Sequence, residues 1–337
     1  MIYPKFINNN MVIGVPAPSA GAGDNIYKNK FKNAEKRLKE LGYSLILSNN
    51  LYKCKNMRSA DKIIRAKEVN DMFNNSDIDL ILCASGGEFL VEILPYVNFE
   101  LLLRNPKYVC GFSDPTGLLY VITTKYDIAT IYGQNFGSYG ASEIFDSEKD
   151  FLKLINGEKM EFESYELYEE EGLEKITGLE PSNLTEKVYW KTLDDKEVCV
   201  KGRIIGGCFD IISELAGTRY DGINEFNEKY KDDGIIWYFD NCELSKEEVI
   251  RVLWKFSELG YFKYVKAVMF GRFGVESTNC YLSVKDCLKD SILSELNIPV
   301  IYDADISHKD PCIPIINGSI ATLQVTDGKA KIKYELE

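Results

Sequence analysis

The sequence predicts an α/β protein built on parallel sheet, and three observations carry that expectation. Short apolar runs (MVIGVPA, YSLILS, IDLILCAS, KYVCGF) alternate with stretches of helical spacing over the first 140 residues, the order of repeated β-α units with helices on both faces of a sheet. The first run ends in Pro and Gly, and the strand of KYVCGF stops at Gly111, residues that turn the chain at a strand end. The length of 337 residues is about twice that of a usual single domain, so two cores are expected.

The elements follow in order. After MVIGVPA, residues Ile26 to Leu41 have helical spacing, with Gly42 placed as the stop signal. YSLILS is a strand, and Ala60 to Asn74 an amphipathic helix whose apolar face holds Ile63, Ile64, Ala66, Val69, Met72 and Phe73. IDLILCAS, a helix-like FLVEILPYV, the strand KYVCGF and the helix TGLLYVITTKY complete the first domain, residues 1–142. Ligands bind such sheets at the carboxyl ends of the strands, which directs attention to the loops Pro16 to Gly23, Ala84 to Glu88 and Ser113 to Thr116.

Residues 143–201 read differently. Eight Glu stand against one Lys between positions 161 and 180, and the alternation in MEFESYELY suggests an exposed hairpin or edge strand. The segment is expected to be a solvated connector or a lid, with Trp190 as an exposed anchor in the second case. A second α/β domain, residues 202–337, starts with GRIIGGCFDIISELAGT. It continues through GIIWYFDNCELS, a helix from Lys246 to Gly260, VKAVMFGRF and IPVIYDADISH.

Charge and cysteine content narrow the function classes. With 40 Lys and Arg against 52 Asp and Glu the formal charge is -12, which provides no general field for phosphate backbones or anionic lipid. Neither nucleic acid nor membrane is expected as a partner. No stretch reaches the roughly 18 apolar residues of a membrane span, and the apolar run near the amino end is too short for a signal peptide core, so the expected compartment is the cytoplasm. The nine cysteines are odd in number, form no CxxC pair and mostly lie inside apolar runs. Buried free thiols are therefore expected, without disulfides or a metal site.

Four places offer chemistry. His308 is the only histidine, and imidazole is the side chain that moves protons near neutral pH; it follows a strand-like run, yet a lone histidine is equally a structural residue. In KYVCGFSDPTGLL, Ser113 occupies the turn between a strand and a helix that Pro115 pre-sets. There its hydroxyl faces the positive end of the helix dipole, although Ser113 or Asp114 would also serve as an ordinary helix cap. Ser85-Gly86-Gly87 after LILCA allows close backbone approach and free amides, suited to an oxyanion hole or simply to a tight turn. Asp240 and Glu243 near the end of GIIWYF either orient the imidazole or provide acid to the next helix.

In combination these segments resemble the LD-carboxypeptidase family of serine peptidases, which includes the microcin C immunity hydrolases. MVIGVPAPS resembles its opening strand and Pro-Ser loop, ASGGEFLVEILPYVNFELL its paired-glycine stretch, and KYVCGFSDPTGLL its Gly-x-Ser-Asp-x-Thr nucleophile motif. GRIIGGCFDIISELAGTRY, GIIWYFDNCELS and IPVIYDADISHKDPCIP resemble its Gly-Gly, Leu-Glu-Asp and Gly-His segments. The resemblance implies a flavodoxin-like parallel first domain, a second α/β domain, an active site at their junction and a homodimer. It implies Ser113 as nucleophile, His308 as general base, Asp240 as acid with Glu243 as the alternative, and the amides of Gly87 and Asp114 as oxyanion hole. Neither metal nor organic cofactor is implied.

The implied activity is hydrolysis of an amide at a small amino-acid terminus. The substrate would be a small peptide such as a cell-wall tetrapeptide, or a peptidyl or aminoacyl nucleotide. Three departures from the family pattern bear on it: Asp240 stands where Glu is usual, Ser85 where Arg is frequent, and Cys208 where Asn is common. Trp190, Cys208 and Glu243 are the expected substrate-side residues, Trp190 as a ring on which a base stacks, and Arg203, Arg219 and Lys125 are candidate cations for an anionic substrate. The alternative is a non-catalytic binding or sensing protein on the same scaffold.

Overall fold

The computed structural model describes residues 1–7, 10–275 and 281–337. Cys280 lies outside them, and the other eight cysteines are free thiols. The described chain divides into two units, one of residues 1–159, 172–183 and 314–316, the other of residues 160–171, 184–313 and 317–337.

In the first unit, β1 (Val12–Val15), β2 (Ser44–Leu47), β3 (Leu80–Leu82), β4 (Tyr108–Gly111) and β5 (Thr130–Tyr132) form a parallel sheet in the order β2-β1-β3-β4-β5, with the strand Ile315–Asn317 beyond β5. The helices are α1 (Asn25–Glu40), α2 (Lys62–Asn74), a short α3 (Glu100–Arg104), α4 (Thr116–Tyr126) and α5 (Asp146–Ile155). Strands β3, β4 and β5 are buried at every position, whereas edge strand β2 alternates with exposed residues. This is the pattern of a sheet covered on both faces. Asp24 caps α1 by accepting from the Tyr27 amide, and Asp61 caps α2 through the Ile63 amide. The run FLVEILPYV, expected to be helix-like, is a 3₁₀ segment over Leu90–Tyr96, because Pro95 lacks the amide hydrogen that an α-helix needs there.

The second unit holds β6 (Glu161–Glu163), β7 (Leu167–Tyr168), β8 (Glu186–Lys187), β9 (Lys191–Thr192), β10 (Val198–Cys208), β11 (Ile235–Asp240), β12 (Val265–Gly271) and β13 (Val300–Ala304). The strand Ile315–Asn317 is β14, and β15 (Ile320–Thr326) and β16 (Lys329–Glu335) follow it. Its large sheet runs β6-β16-β15-β10-β11-β12-β13-β9, with β10 to β13 parallel and the flanking strands antiparallel. β7 pairs with β8 apart from it. The helices are α6 (Phe209–Leu215), α7 (Ile223–Lys229), α8 (Lys246–Glu258) and α9 (Val284–Lys289). The alternation in MEFESYELY is that of an edge strand: Phe162 in β6 is buried between exposed Glu161 and Glu163. Residues 143–201 are thus shared, α5 and residues 172–183 going to the first unit and β6 to β9 to the second.

The core of the second unit is aromatic. Trp237 stacks on Tyr261 with ring centroids 5.6 Å apart and on Phe239 at 5.2 Å, while Phe209, Phe256 and Phe270 close around Phe239. These rings brace β11 directly behind its carboxyl end. Trp237, fully buried, donates its indole hydrogen to the Tyr261 carbonyl at 3.2 Å, so truncation removes both packing and a hydrogen bond. Trp237→Ala should destabilise this unit by roughly 3 to 5 kcal/mol. Urea unfolding followed by circular dichroism would show it as a lower midpoint at unchanged slope; a midpoint equal to wild type would contradict the role given to this cluster.

Candidate active site

In the first unit the loop after β4 is forced into a tight turn. Ser113 has a φ of 69°, the left-handed region, which costs a non-glycine residue roughly 1 to 2 kcal/mol. Reciprocal hydrogen bonds hold the preceding residue: the Phe112 amide donates to Asn135 Oδ1 at 3.0 Å, and Asn135 Nδ2 donates to the Phe112 carbonyl at 3.1 Å. The Ser113 amide donates to the Tyr132 hydroxyl at 3.4 Å, and the Ser113 carbonyl accepts from the Thr116 amide at 2.8 Å.

Neither Ser113 nor Asp114 caps α4, which begins behind Pro115 without a side-chain cap. The capping alternative is therefore corrected. Asp114 is fully buried and turns away, accepting from the Ser19 hydroxyl and, at 2.9 Å, from the Leu90 amide. Burial raises its carboxyl above the ordinary 3.8, opposed by these hydrogen bonds, which favour the charged form.

The paired glycines after β3 have a steric reason. A Cβ on Gly86 would lie 3.0 Å from Ser113 Cβ and 3.2 Å from its Oγ, and a Cβ on Gly87, whose φ is 148°, would collide with the Ser19 hydroxyl. A side chain at Gly86 would intrude on Ser113, and one at Gly87 on the loop after β1. Ser85 Oγ donates to the Ala20 carbonyl at 3.1 Å, joining this loop to the one after β1.

In the second unit, Asp240 ends β11 at zero exposure, opposite Cys208 in the β10-β11 register. Its Oδ1 lies 2.9 Å from Nδ1 of His308, which stands in the loop after β13 with 23% of its side chain exposed. Burial disfavours the imidazolium, but the Asp240 charge and hydrogen bond, aided by a hydrogen bond with Cys242, outweigh it and hold His308 well above its ordinary 6.5. Glu243 is exposed, and its amide donates to Asp210 Oδ1 at 2.9 Å. Asp240 is thus the carboxylate on the imidazole.

Two supporting residues were not singled out from the sequence. Asp210, in the first turn of α6, accepts from the amides of Cys242 (3.0 Å), Glu243 (2.9 Å) and Leu244 (3.0 Å) and from Cys208 Sγ at 3.4 Å. It clamps the loop that leaves Asp240. Asp305 is fully buried and accepts from Arg272, from the Tyr165 amide at 2.9 Å and from Trp190 Nε1 at 3.1 Å. It anchors the chain three residues before His308. An acid in the first helical turn after paired glycines is a visible signal for Asp210; its targets, more than 30 residues on, are not.

Trp190 corrects the expectation of an exposed anchor. It is 1% exposed, because its indole hydrogen is committed to Asp305 and its amide to the Gly328 carbonyl at 3.0 Å. No face is presented for a base. The candidate cations are also accounted for: Arg203 pairs with Asp233 and stacks on Tyr230 with its guanidinium 3.9 Å from the ring centroid, Arg219 bonds the Tyr220 hydroxyl, and Lys125 lies in the last turn of α4. Among the described residues no group of three or more His, Cys, Asp or Glu side chains is placed to hold a metal ion.

A strained serine in the first unit and an imidazole set on a buried carboxylate in the second are the residue types of a serine hydrolase, and the family matches state that class. Residues 13–133 match the LD-carboxypeptidase N-terminal domain and residues 201–323 the LD-carboxypeptidase C-terminal domain. A Vibrio cholerae protein named as a carboxypeptidase is 26% identical over 343 residues, covering 99% of this chain and 98% of its own. The Escherichia coli microcin C7 self-immunity protein MccF is 26% identical over 303 residues, 86% of this chain and 83% of that one. A solved structure of MccF in complex with aspartyl sulfamoyl adenosine has the same fold, with a TM-score of 0.83 at 23% identity over 100% of this chain and 99% of that chain. The chain belongs to the LD-carboxypeptidase family.

The His308 environment yields a pH test. A general base works neutral, and a raised pKa keeps the imidazole protonated to higher pH, so kcat/KM should rise with pH through a midpoint above the ordinary 6.5. Asp240→Asn should move that limb to lower pH and cut kcat by about 10⁴, whereas Glu243→Gln should leave both within about threefold. Rate against pH for the three proteins decides it, and a limb unmoved by Asp240→Asn would remove Asp240 from the pair.

Proposed function

We propose that this serine hydrolase attacks its substrate with Ser113, using His308 as general base and Asp240 as the acid that orients it. His308 takes the hydroxyl proton as Ser113 Oγ bonds to the amide carbonyl, then delivers it to the leaving amine. The amides of Gly87 and Asp114 stabilise the oxyanion, and water repeats the sequence on the acyl-enzyme. No metal or organic cofactor enters the reaction. Ser113 belongs to the first unit, and Asp240 and His308 to the second.

The observation that carries this reading is Ser113 at a φ of 69°. A left-handed non-glycine residue persists only where its surroundings hold it, and here Asn135 bonds Phe112 in both directions while the Tyr132 hydroxyl accepts from the Ser113 amide. The substrate is an amide of a small amino acid: the terminal residue of a cell-wall tetrapeptide, as the family's activity suggests, or an aminoacyl nucleotide, in keeping with the likeness to MccF. The buried Trp190 no longer favours the nucleotide. The family resemblance supports a homodimer, and thiols buried as free Cys83, Cys110, Cys208, Cys287 and Cys312 support a reducing, cytoplasmic setting.

A serine-directed fluorophosphonate should label wild type stoichiometrically on Ser113 and leave Ser113→Ala unlabelled, as read by intact-mass and peptide mass spectrometry. His308→Ala should label at a rate lower by about 10⁴. Unlabelled wild type that still binds ligand tightly would instead identify a sensing protein on this scaffold. Turnover of a murein tetrapeptide and of an aminoacyl sulfamoyl adenosine, measured side by side, separates the two substrate classes.

A further inference from the structure

A small cavity of about 190 Å³ within the second unit is lined by Lys187, Lys191, Arg272 and Lys309, by the acids Glu170 and Asp303, and by the rings of Tyr168, Tyr189 and Phe273. Four cations line it against two acids, and a third acid, Asp305, pairs with Arg272 from behind, which leaves one positive charge in excess in a chain whose net charge is -12. Sites for whole small molecules usually run to roughly 300 to 1,000 Å³, so this one fits a single group of a larger ligand.

Arg272 makes the cavity more than a basic patch. It is 5% exposed; one Nη pairs with Asp305, and the guanidinium lies 4.2 Å from the Tyr168 ring centroid. Its other terminal nitrogen, Nη1, is buried and hydrogen-bonds to nothing among the described residues. An unmet buried donor is expensive, and a guanidinium meets it best with a carboxylate or phosphoryl oxygen. Lys309 is held by Glu170 and Lys191 by Asp303. Lys187, exposed at the end of β8, is in no ion pair among the described residues. Lys309 immediately follows His308 in the chain, which ties this lining residue to the loop that carries the imidazole. The ring of Tyr189, 56% exposed and seated against Gly328, borders the same space.

We propose that the Arg272-Lys187-Lys309 cavity binds an oxyanion of the substrate, a phosphoryl or carboxylate group, beside the catalytic histidine. This rests on the hydrolase reading above and specifies the substrate as anionic near the bond to be cleaved. It also supplies the local cationic site that neither Arg203 nor Arg219 provides.

The test uses Ser113→Ala protein, so that binding is read without turnover. Adenosine monophosphate, adenosine and N-acetyl-D-alanine serve as calorimetric probes, with and without Lys187→Gln and Lys309→Gln, whose folding is checked by thermal melting. Adenosine monophosphate should bind at least tenfold more tightly than adenosine if the oxyanion is phosphoryl, and each lysine change should weaken it about fivefold to tenfold. If it is carboxylate, N-acetyl-D-alanine should show the same lysine dependence instead. Folded double variants that bind every probe as the parent does, or a parent that binds none, would overturn the proposal. Fluorophosphonate labelling of wild type is unaffected by that failure, which keeps it distinct from failure of the hydrolase reading.

Discussion

The hydrogen bond between the Asp240 carboxylate and the His308 ring is the interaction around which the second unit is arranged. A carboxylate with no solvent exposure is costly unless it is paired and its strand end held still. The structure meets both needs: aromatic rings fix β11 from behind, Asp210 ties down three successive amides of the loop beyond it, and Asp305 secures the chain that brings His308. The carboxylate in turn sets the tautomer and basicity of the imidazole, so the chemistry of one histidine depends on contacts spread from residue 165 to residue 308.

The first unit solves a complementary problem with backbone rather than charge. Ser113 is driven into the left-handed region, the space beside it is kept clear by Gly86, Gly87 leaves room for Ser19, and Asp114 is drawn inward to Ser19 and Leu90. Because the loops after β1, β3 and β4 all leave the same edge of a parallel sheet, three short segments far apart in sequence meet there. The strain of the serine turn is distributed over hydrogen bonds from Asn135 and Tyr132, which no single-loop motif would supply.

The departures from the family pattern have local explanations. Cys208 donates to Asp210 and Ser85 to the Ala20 carbonyl, so both side chains serve the scaffold. The basic cavity around Arg272 is the place proposed above for an oxyanion of the substrate. Trp190 illustrates the same economy from the other direction: an aromatic residue in an acidic segment is used to anchor Asp305 inside the unit.

Periodicity and turn residues determined the parallel α/β class, the helices near 26–41, 60–74 and 246–260, and the strand ends on which Ser113, Asp240 and His308 stand, because these depend on hydrophobic spacing and backbone preference within a few residues. Motif order determined the family. The tertiary structure alone decided that Asp240 rather than Glu243 meets His308, that Asp114 does not cap α4, that Trp190 is buried, and that Asp210 and Asp305 hold the site in place. Each of these is a contact between segments distant along the chain, and its outcome turns on ångström differences in register and burial that no local pattern encodes.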